Sequence, residues 1–363
     1  MLYRVFGASE LPALVSAFME SYEVVAPVKR GAHYSFEPIS SPEEMDLAYD
    51  TTLASPKRYF LPPRETLMRY DAATNEVADF TEEVTPRVIF GAHACDINAI
   101  NRLDLVFRDG RYPDPYYKAR REATIIVGVS CTPDADCFCN LWDADEARFG
   151  YDLFLHRLGD KFLVSISSVE AANILESAVD LRDATDEDRI EFRHATRARQ
   201  AAFNPDIPEI QDVAMLMDAF HSDPFWEEFG NRCLACNACA AVCPTCFCFD
   251  IQDVLDPNGR RASASACGMR AHHRSSHGGR WSQLPPHGAR ARASSHVPQA
   301  QRFSGHVRPH AVRGVRPLRE SVQGRHQPHP RAGVFREEGG GRCLLTPISN
   351  LCISRRTTTG RRP

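Results

Sequence analysis

The chain has 363 residues, of which 43% are hydrophobic, so it is long enough to build two or three domains. No apolar stretch reaches the roughly 18 residues that a membrane-spanning helix needs, and no cleavable secretion signal starts the chain. The sequence therefore argues against membrane contact and predicts a soluble, cytoplasmic protein. In that reducing compartment, 13 cysteines favour metal or cluster ligation over disulfides.

The first two hundred residues alternate helical and strand patterns. Ser9 is predicted to cap a helix whose apolar positions include Leu11, Leu14, Val15 and Phe18. This amphipathic spacing predicts a helix that packs one face on a core.

Two short, nearly continuous apolar runs follow, at Arg87–Ala92 and Thr124–Ser130. Such runs suit buried strands of a parallel sheet. Between them, Asp96–Phe107 places apolar residues along one helical face. The order of strand, helix and strand predicts a parallel crossover, so the first domain is expected to be α/β or α+β.

The next elements are a hairpin and several helices. Leu153–Arg157 and Lys161–Ile166 flank a turn and read as paired strands, and Ser168–Ala178 reads as a helix. The acidic segment Asp180–Arg199 is either a solvated helix or a linker between domains. Gln211–Phe220 is predicted to form a helix that leads into a cysteine-rich run.

That run places Cys233, Cys236, Cys239 and Cys243 before Pro244, and its spacing is typical of one half of a bacterial four-iron ferredoxin. The first three cysteines are predicted to bind one 4Fe–4S cluster, and the fourth is predicted to face a neighbouring cluster. Zinc is the alternative, but zinc motifs usually offer two cysteine pairs separated by a loop. The pattern also predicts a second run downstream, which the chain lacks.

Two more cysteines follow immediately, Cys246 and Cys248. They are candidates to replace ligands that the missing second run would supply. Alternatively, they are ordinary cysteines packed near a cluster, since free cysteine is commonly buried.

A second group of cysteines lies in the first domain. Cys131, Cys137 and Cys139 come directly after the second buried strand, and Cys95 closely follows the first. If the two strands are neighbours, their carboxyl ends meet at one edge of the sheet, where ligand sites form. The four cysteines are therefore candidate ligands of an additional cluster, although a core cysteine with an incidental pair is the alternative. His93 lies beside them and is more simply explained as structural.

The chain lacks the common motifs of nucleotide sites and hydrolases. There is no GxGxxG after a strand, no GxxxxGK followed by Ser or Thr, no GxSxG and no HExxH. The sequence therefore predicts electron transfer and assigns no catalytic residue.

The composition changes abruptly near residue 259. Residues 1–259 contain 23 Lys and Arg against 44 Asp and Glu, whereas the remainder contains 20 Arg, 9 His, no Lys and only 3 acidic residues. One interpretation is a disordered basic extension that binds nucleic acid or acidic partners. Cys267, Cys343 and Cys352 lie in this tail and are assigned no role.

A shifted reading frame is the other interpretation of the tail. Back-translating Val312–Pro328 and reading one base later permits the sequence CVGCGRCVRACKADINP, by free choice of third bases. This is a second ferredoxin run with a proline after it. We hypothesise that the tail is a frameshifted remnant of a second cluster module.

Several segments together resemble the beta subunit of cytosolic sulfhydrogenases and, more distantly, the 4Fe–4S dicluster subunit of anaerobic sulfite reductase. The matching stretches are Val24–Gly31, Ser55–Leu67, Gly91–Phe107, Asp114–Arg121, the CFC motif with the following GYDLFL, and the run CLACNACAAVCPTCFCFD. The resemblance implies two 4Fe–4S clusters in a C-terminal dicluster domain. It also implies electron transfer between two other subunits, one that contains flavin and binds NAD(P)H and one that is the terminal redox subunit. The CFC and Cys95 motifs recur in it.

These observations predict three regions. Residues 1–200 form an α/β domain with a possible additional iron–sulfur site, residues 201–258 form the first half of a ferredoxin-like dicluster domain, and residues 259–363 form a disordered, frameshifted tail. One to three clusters are expected, with two in the intact family pattern. The predicted partners are a flavin/NAD(P)H-binding subunit, together with a hydrogenase or sulfite/sulfur reductase subunit, with no nucleic acid. The alternative is a stand-alone zinc-binding regulatory protein with a nucleic-acid-binding tail.

Overall fold

The computed structural model describes residues 2–71, 74, 76–79, 84–206, 213–234, 236, 238–255, 261–268, 334–336 and 342–344. Contacts divide the chain into two units, each assembled from separate segments. The first unit comprises Met1–Glu209, Asn237–Ser276 and His310–Val315, and the second comprises Ile210–Cys236, His277–Pro309 and Arg316–Pro363. The predicted dicluster segment 201–258 is thus shared between the two units.

The regular elements of the described residues follow in chain order. The strands are β1 (Leu2–Gly7), β2 (Glu23–Arg30), β3 (His33–Pro38), β4 (Arg64–Asp71), β5 (Glu76–Asp79), β6 (Arg87–Ala92), β7 (Thr124–Val129), β8 (Leu153–Leu158), β9 (Lys161–Ile166), β10 (Arg182–Asp183), β11 (Phe249–Leu255), β12 (Arg261–Gly268), β13 (Val334–Arg336) and β14 (Arg342–Leu344). The helices are α1 (Leu11–Met19), α2 (Ala94–Phe107), α3 (Pro115–Glu122), α4 (Val169–Ala178), α5 (Asp186–Ala201), α6 (Val213–Ala219), α7 (Phe225–Arg232) and α8 (Ala238–Val242).

An eight-stranded mixed sheet forms the centre of the first unit, in the order β10-β1-β9-β8-β7-β6-β2-β3. Its middle strands β2, β6, β7 and β8 run parallel, and the outer pairings are antiparallel. Helix α2 connects β6 to the adjacent parallel strand β7, so the predicted crossover is confirmed.

Both faces of this sheet are buried, which explains why β6 and β7 read as continuous apolar runs. In β6, Val88 and Phe90 point to one core, and Ile89 points to the other. The first core packs against α1 and α4, and the second packs against α2 and α3. The sequence pattern of β6 and β7 is therefore a direct consequence of their central position.

The other predicted elements of the first unit are largely confirmed. Strands β8 and β9 form the expected hairpin, and the Ser168 hydroxyl caps α4 by accepting the Ala171 N–H. Most of α5 is exposed, so the acidic segment is a solvated helix. The prediction of Ser9 as a cap is wrong, because Ser9 lies within a 3-10 turn, Ala8–Glu10, that precedes α1. The Glu10 carboxylate accepts the Gly7 N–H at 2.9 Å and fixes that turn.

A second, antiparallel sheet has the order β11-β12-β4-β5. Strand β12 corrects the prediction of a structureless tail, because it pairs with β11 on one side and with β4 on the other. Its alternation is made of alanine and serine, which a hydrophobic pattern does not register, although Ser265 and Cys267 are buried. Backbone pairing on both sides holds this strand in place without large apolar side chains.

The second unit contains α6, α7 and the antiparallel pair β13–β14. Helix α6 falls within the predicted helix at 211–220. In α7 the ring of Phe225 packs against those of Trp226 and Phe229, and the Trp226 indole N–H donates to the Phe220 carbonyl at 2.6 Å. The tail prediction is also wrong at β13 and β14, and the rest of the tail lies outside the described residues.

The place of β12 predicts that the tail is not dispensable. A chain ending at Asn258 should unfold several degrees below a chain ending at Ser276, because about 1 kcal/mol shifts Tm by about 2–4 °C in domains of 150–250 residues. The shorter chain leaves β4 and β11 unpaired along facing edges. Thermal unfolding followed by circular dichroism compares the two, and equal Tm values would contradict the role of β12.

Asp188 predicts a pH dependence of stability. Its carboxylate, only 2% exposed, accepts hydrogen bonds from Lys161 at 2.7 Å and from Arg182 at 2.5 Å, and the Arg182 guanidinium holds the pKa of Asp188 well below its usual range. Asp188→Asn should therefore lower the free energy of unfolding at pH 7 by about 2 kcal/mol.

The difference from the parent should shrink as the pH falls below about 4, where the unfolded carboxyl takes up a proton. It is fully present above that pH because the folded carboxyl stays ionised. Urea unfolding at pH 7 and pH 3 measures both values, with Asp180→Asn as an exposed control. A difference that grows on acidification would refute the assignment.

Candidate metal centres

The first-unit cysteines lie at the carboxyl edge of β6 and β7. Cys95 is in the first turn of α2, which starts directly after β6, and the loop carrying Cys131, Cys137 and Cys139 starts directly after β7. Because β6 and β7 are parallel neighbours, both segments emerge at the same edge, as the sequence predicted.

The structure brings these cysteines together. Cys95 and Cys139 are buried in one small cluster, and Cys137 packs against it half-buried. The side chains of Cys95 and Cys139 are hydrogen-bonded to each other, and Cys131 is close enough to act on Cys139 electrostatically. Ala99, Ala144, Trp142 and Phe203 complete the surroundings.

The local electrostatics keep these thiols protonated in the metal-free chain. The hydrogen bond with Cys95, then burial and the neighbouring cysteines, raise the pKa of Cys139 far above its usual range. Burial raises the pKa of Cys137 to about 12. A bound cation reverses this balance, because a coordinating thiol is deprotonated by the charge of the metal.

The arrangement does not suit a single ion. Within the described residues, no three His, Cys, Asp or Glu side chains are placed to hold one metal ion. Four thiolates on one zinc ion each lie about 2.3 Å from the metal, hence within roughly 4 Å of one another. In a 4Fe–4S cluster each thiolate binds a different iron, so the sulfur atoms are spread further apart. The all-thiol donor set therefore fits a cluster better than zinc.

His93 has a packing role. It is buried at the start of α2, and its ring stacks on that of Tyr49 with centroids 4.0 Å apart and planes 3° apart. The Tyr49 hydroxyl donates to the Gly91 carbonyl at 2.7 Å. The pair braces the carboxyl end of β6.

A cavity of about 1410 Å³ opens beside this edge. Its lining includes Cys131 and the exposed arginines Arg148, Arg157, Arg193 and Arg197. It lies between α5 and the face of the main sheet, and it gives Cys131 a route to the surface.

The ferredoxin-type run is divided between the two units. Cys233, which follows α7 and donates its N–H to the Gly230 carbonyl at 3.2 Å, and the exposed Cys236 belong to the second unit. Cys239, in α8, and Cys243, directly after it, belong to the first unit, and the Cys243 N–H donates to the Cys239 carbonyl at 3.1 Å. All four are free thiols.

The cysteines after the run differ in exposure. Cys246 is buried and Cys248 is exposed, and a hydrogen bond between their side chains, followed by burial, raises the pKa of Cys246. Phe247 packs its ring against Phe107 of α2, which attaches this segment to the core of the first unit. In β12, the Cys267 thiol is buried and donates to the Gln252 side chain at 3.6 Å.

Lys57 is a residue that the sequence reasoning missed. It lies in a 3-10 helix, Pro56–Tyr59, and is only 6% exposed. Its ammonium donates to the carbonyls of Cys243 at 2.5 Å, Cys246 at 3.2 Å and Ala240 at 3.3 Å. Burial lowers the pKa of Lys57, and the thiols of the same segment oppose that shift. The only available signal was its place in the matching stretch Ser55–Leu67.

Comparisons with known proteins point to one family. Residues 232–308 match the family described as a 4Fe–4S dicluster domain, which includes all four cysteines of the run and extends past residue 258. The sulfhydrogenase 2 subunit beta of Pyrococcus furiosus is 34% identical over 254 residues, which cover 70% of this chain and 75% of that protein. No solved structure matches the chain. None of the helices in the described part of the chain has the length and apolar character needed to cross a membrane.

Proposed function

The chain belongs to the family of sulfhydrogenase beta subunits, and on that premise we propose that it relays electrons between other subunits of a soluble oxidoreductase complex. It is an iron–sulfur protein with a 4Fe–4S dicluster domain. Such clusters take up and release single electrons, at potentials set by burial, net charge and hydrogen bonds to sulfur. The observation that carries the proposal is the cysteine run inside the matched domain.

We propose that Cys233, Cys236 and Cys239 bind the first cluster and that Cys243 faces the second. Their two-two-three spacing before Pro244 supports this assignment. The missing second run leaves both sites short of ligands from the usual motif, and Cys246 and Cys248 are candidate replacements.

We propose an additional cluster at Cys95, Cys131, Cys137 and Cys139. The contact between Cys95 and Cys139, the proximity of Cys131 and Cys137, and the all-thiol donor set support it. The cavity beside Cys131 supports an approach to this site from the surface. An exposed edge suits an electron relay, which must receive electrons from one partner and pass them to another.

The proposed partners are a flavin/NAD(P)H-binding subunit, together with a hydrogenase or sulfite/sulfur reductase subunit in the cytoplasm. The name of the Pyrococcus relative supports a beta subunit within a larger assembly. We assign no catalytic residue to this chain, since the proposed role of its cysteines is to hold electron carriers.

We propose that the tail descends from a frameshifted second cluster module. The shifted sequence of Val312–Pro328 supports this, and so does the change in composition near residue 259. Sequencing the parent gene should reveal an unbroken second run in an alternative frame. If neither alternative frame permits one, the frameshift explanation fails.

The first test identifies the metal. The full chain, reconstituted anaerobically with iron and sulfide, should become brown, with a broad absorption near roughly 400 nm from thiolate-to-iron charge transfer. Equal amounts of iron and labile sulfide are expected. A colourless protein that binds zinc and shows salt-sensitive DNA binding would instead support a regulatory zinc protein.

The second test addresses the first-unit cysteines. Cys137→Ser should lose about four iron and four sulfide per chain relative to the parent, because it removes a thiolate from one 4Fe–4S cluster. Cys352→Ser is the matched control, since that cysteine has no proposed role. Unchanged iron in Cys137→Ser would remove this site from the proposal while leaving the run untouched.

A further inference from the structure

Lys57 combines deep burial with a full set of acceptors. Lysine is almost never fully buried unless it is paired, and an ammonium has three N–H donors. The Lys57 ammonium meets three backbone carbonyls, those of Ala240, Cys243 and Cys246. All three belong to the segment Cys239–Cys248 of the first unit, which carries four of the cysteines discussed above.

The chain itself explains why an outside donor is needed there. In a continuing helix, the carbonyl of Ala240 would accept the N–H of residue 244, but Pro244 has no N–H. The last carbonyls of a helix lack intrahelical partners and carry partial negative charge, so a cation stabilises them. Lys57 supplies the donor that the proline removes.

A compact ammonium suits this position better than a guanidinium. Lysine presents a point charge with rotatable donors, whereas arginine presents a planar fork suited to two parallel acceptors. The neighbouring Arg58 donates elsewhere, to the carbonyl of Phe36 and the hydroxyl of Tyr59. The choice of lysine at position 57 therefore follows from the three convergent carbonyls.

The same ammonium acts on the charge of the segment. Cys243, Cys246 and Cys248 are its electrostatic neighbours. Thiolates that hold a cluster add negative charge, and net charge is one of the factors that set a cluster's reduction potential. A fixed positive charge favours the reduced form, because reduction adds an electron.

We propose that Lys57 is a positioning residue for the segment Cys239–Cys248 and that its charge raises the reduction potential of the cluster bound there. The second half of this inference depends on the proposed function. The first half does not, because the hydrogen bonds to the three carbonyls exist without a cluster.

The experiment compares three full-length variants with the parent. Lys57→Met removes the charge and the donors at similar length, and Lys57→Arg keeps the charge. Lys29→Met makes the same change at an exposed lysine, which lies over the ring of Tyr34. Each protein is measured both metal-free and after anaerobic reconstitution.

In the metal-free proteins, hydrogen exchange tests positioning. Peptides covering 239–248 should exchange at least tenfold faster in Lys57→Met than in the parent or in Lys29→Met. Unchanged exchange in Lys57→Met would overturn the positioning role. This measurement stands even if the parent binds no iron, a result that would count against the proposed function alone.

In the reconstituted proteins, a redox titration followed by electron paramagnetic resonance tests the charge. At a fixed potential, the ratio of reduced to oxidised cluster should fall about tenfold in Lys57→Met, which corresponds to about 59 mV for one electron. Lys57→Arg should stay closer to the parent. An unshifted potential in Lys57→Met would overturn the charge effect.

Loss of the cluster in Lys57→Met would move the decision to Lys57→Arg. If Lys57→Arg retains iron at the parental potential, the charge at this position is what the cluster requires. If both variants lose iron while Lys29→Met keeps it, the claim that charge sets the potential fails.

Discussion

The parallel pairing of β6 with β7 is the contact on which the first-unit site depends. Their register runs from Arg87 opposite Thr124 to Ala92 opposite Gly128, so both strands end at the same level. Helix α2 begins one residue after β6, and the cysteine-bearing loop begins directly after β7. Gly128 has a further effect, because a Cβ there would lie 2.4 Å from Phe154 and 2.8 Å from Ile97 of α2. Its bare backbone lets α2 pack close to the sheet and thereby fixes the depth of Cys95.

The segment after the ferredoxin-type run is attached to the first unit by three different kinds of contact. The ammonium of Lys57 binds its backbone, Phe247 packs its ring on Phe107, and β12 joins β11 to β4. Because polar, aromatic and backbone contacts all act on one stretch, its conformation depends on residues from the first third of the chain. The cysteine run is thus not a self-contained module in this protein.

Much of the main sheet could be predicted from the sequence, because its signals are local and strong. The apolar runs of β6 and β7 and the hairpin turn near Gly159 each specify an element within a few residues. Convergence of Cys95 with Cys139 followed from one further rule, that parallel neighbours end at one edge. Lys57 could not be predicted in this way, because its acceptors lie more than 180 residues away and pattern analysis does not pair distant positions. Strand β12 escaped because alanine and serine alternate without a change in hydrophobicity.

The sheet order β11-β12-β4-β5 also bears on how the protein is made. Strand β4 leaves the ribosome early, but its partner β12 is synthesised almost two hundred residues later. Until then, an edge of β4 and the side chain of Lys57 have no native cover, and exposed strand edges invite wrong pairing. The first unit therefore completes its fold only after the cysteine run has emerged, so that the nascent chain already holds its thiols when this region closes.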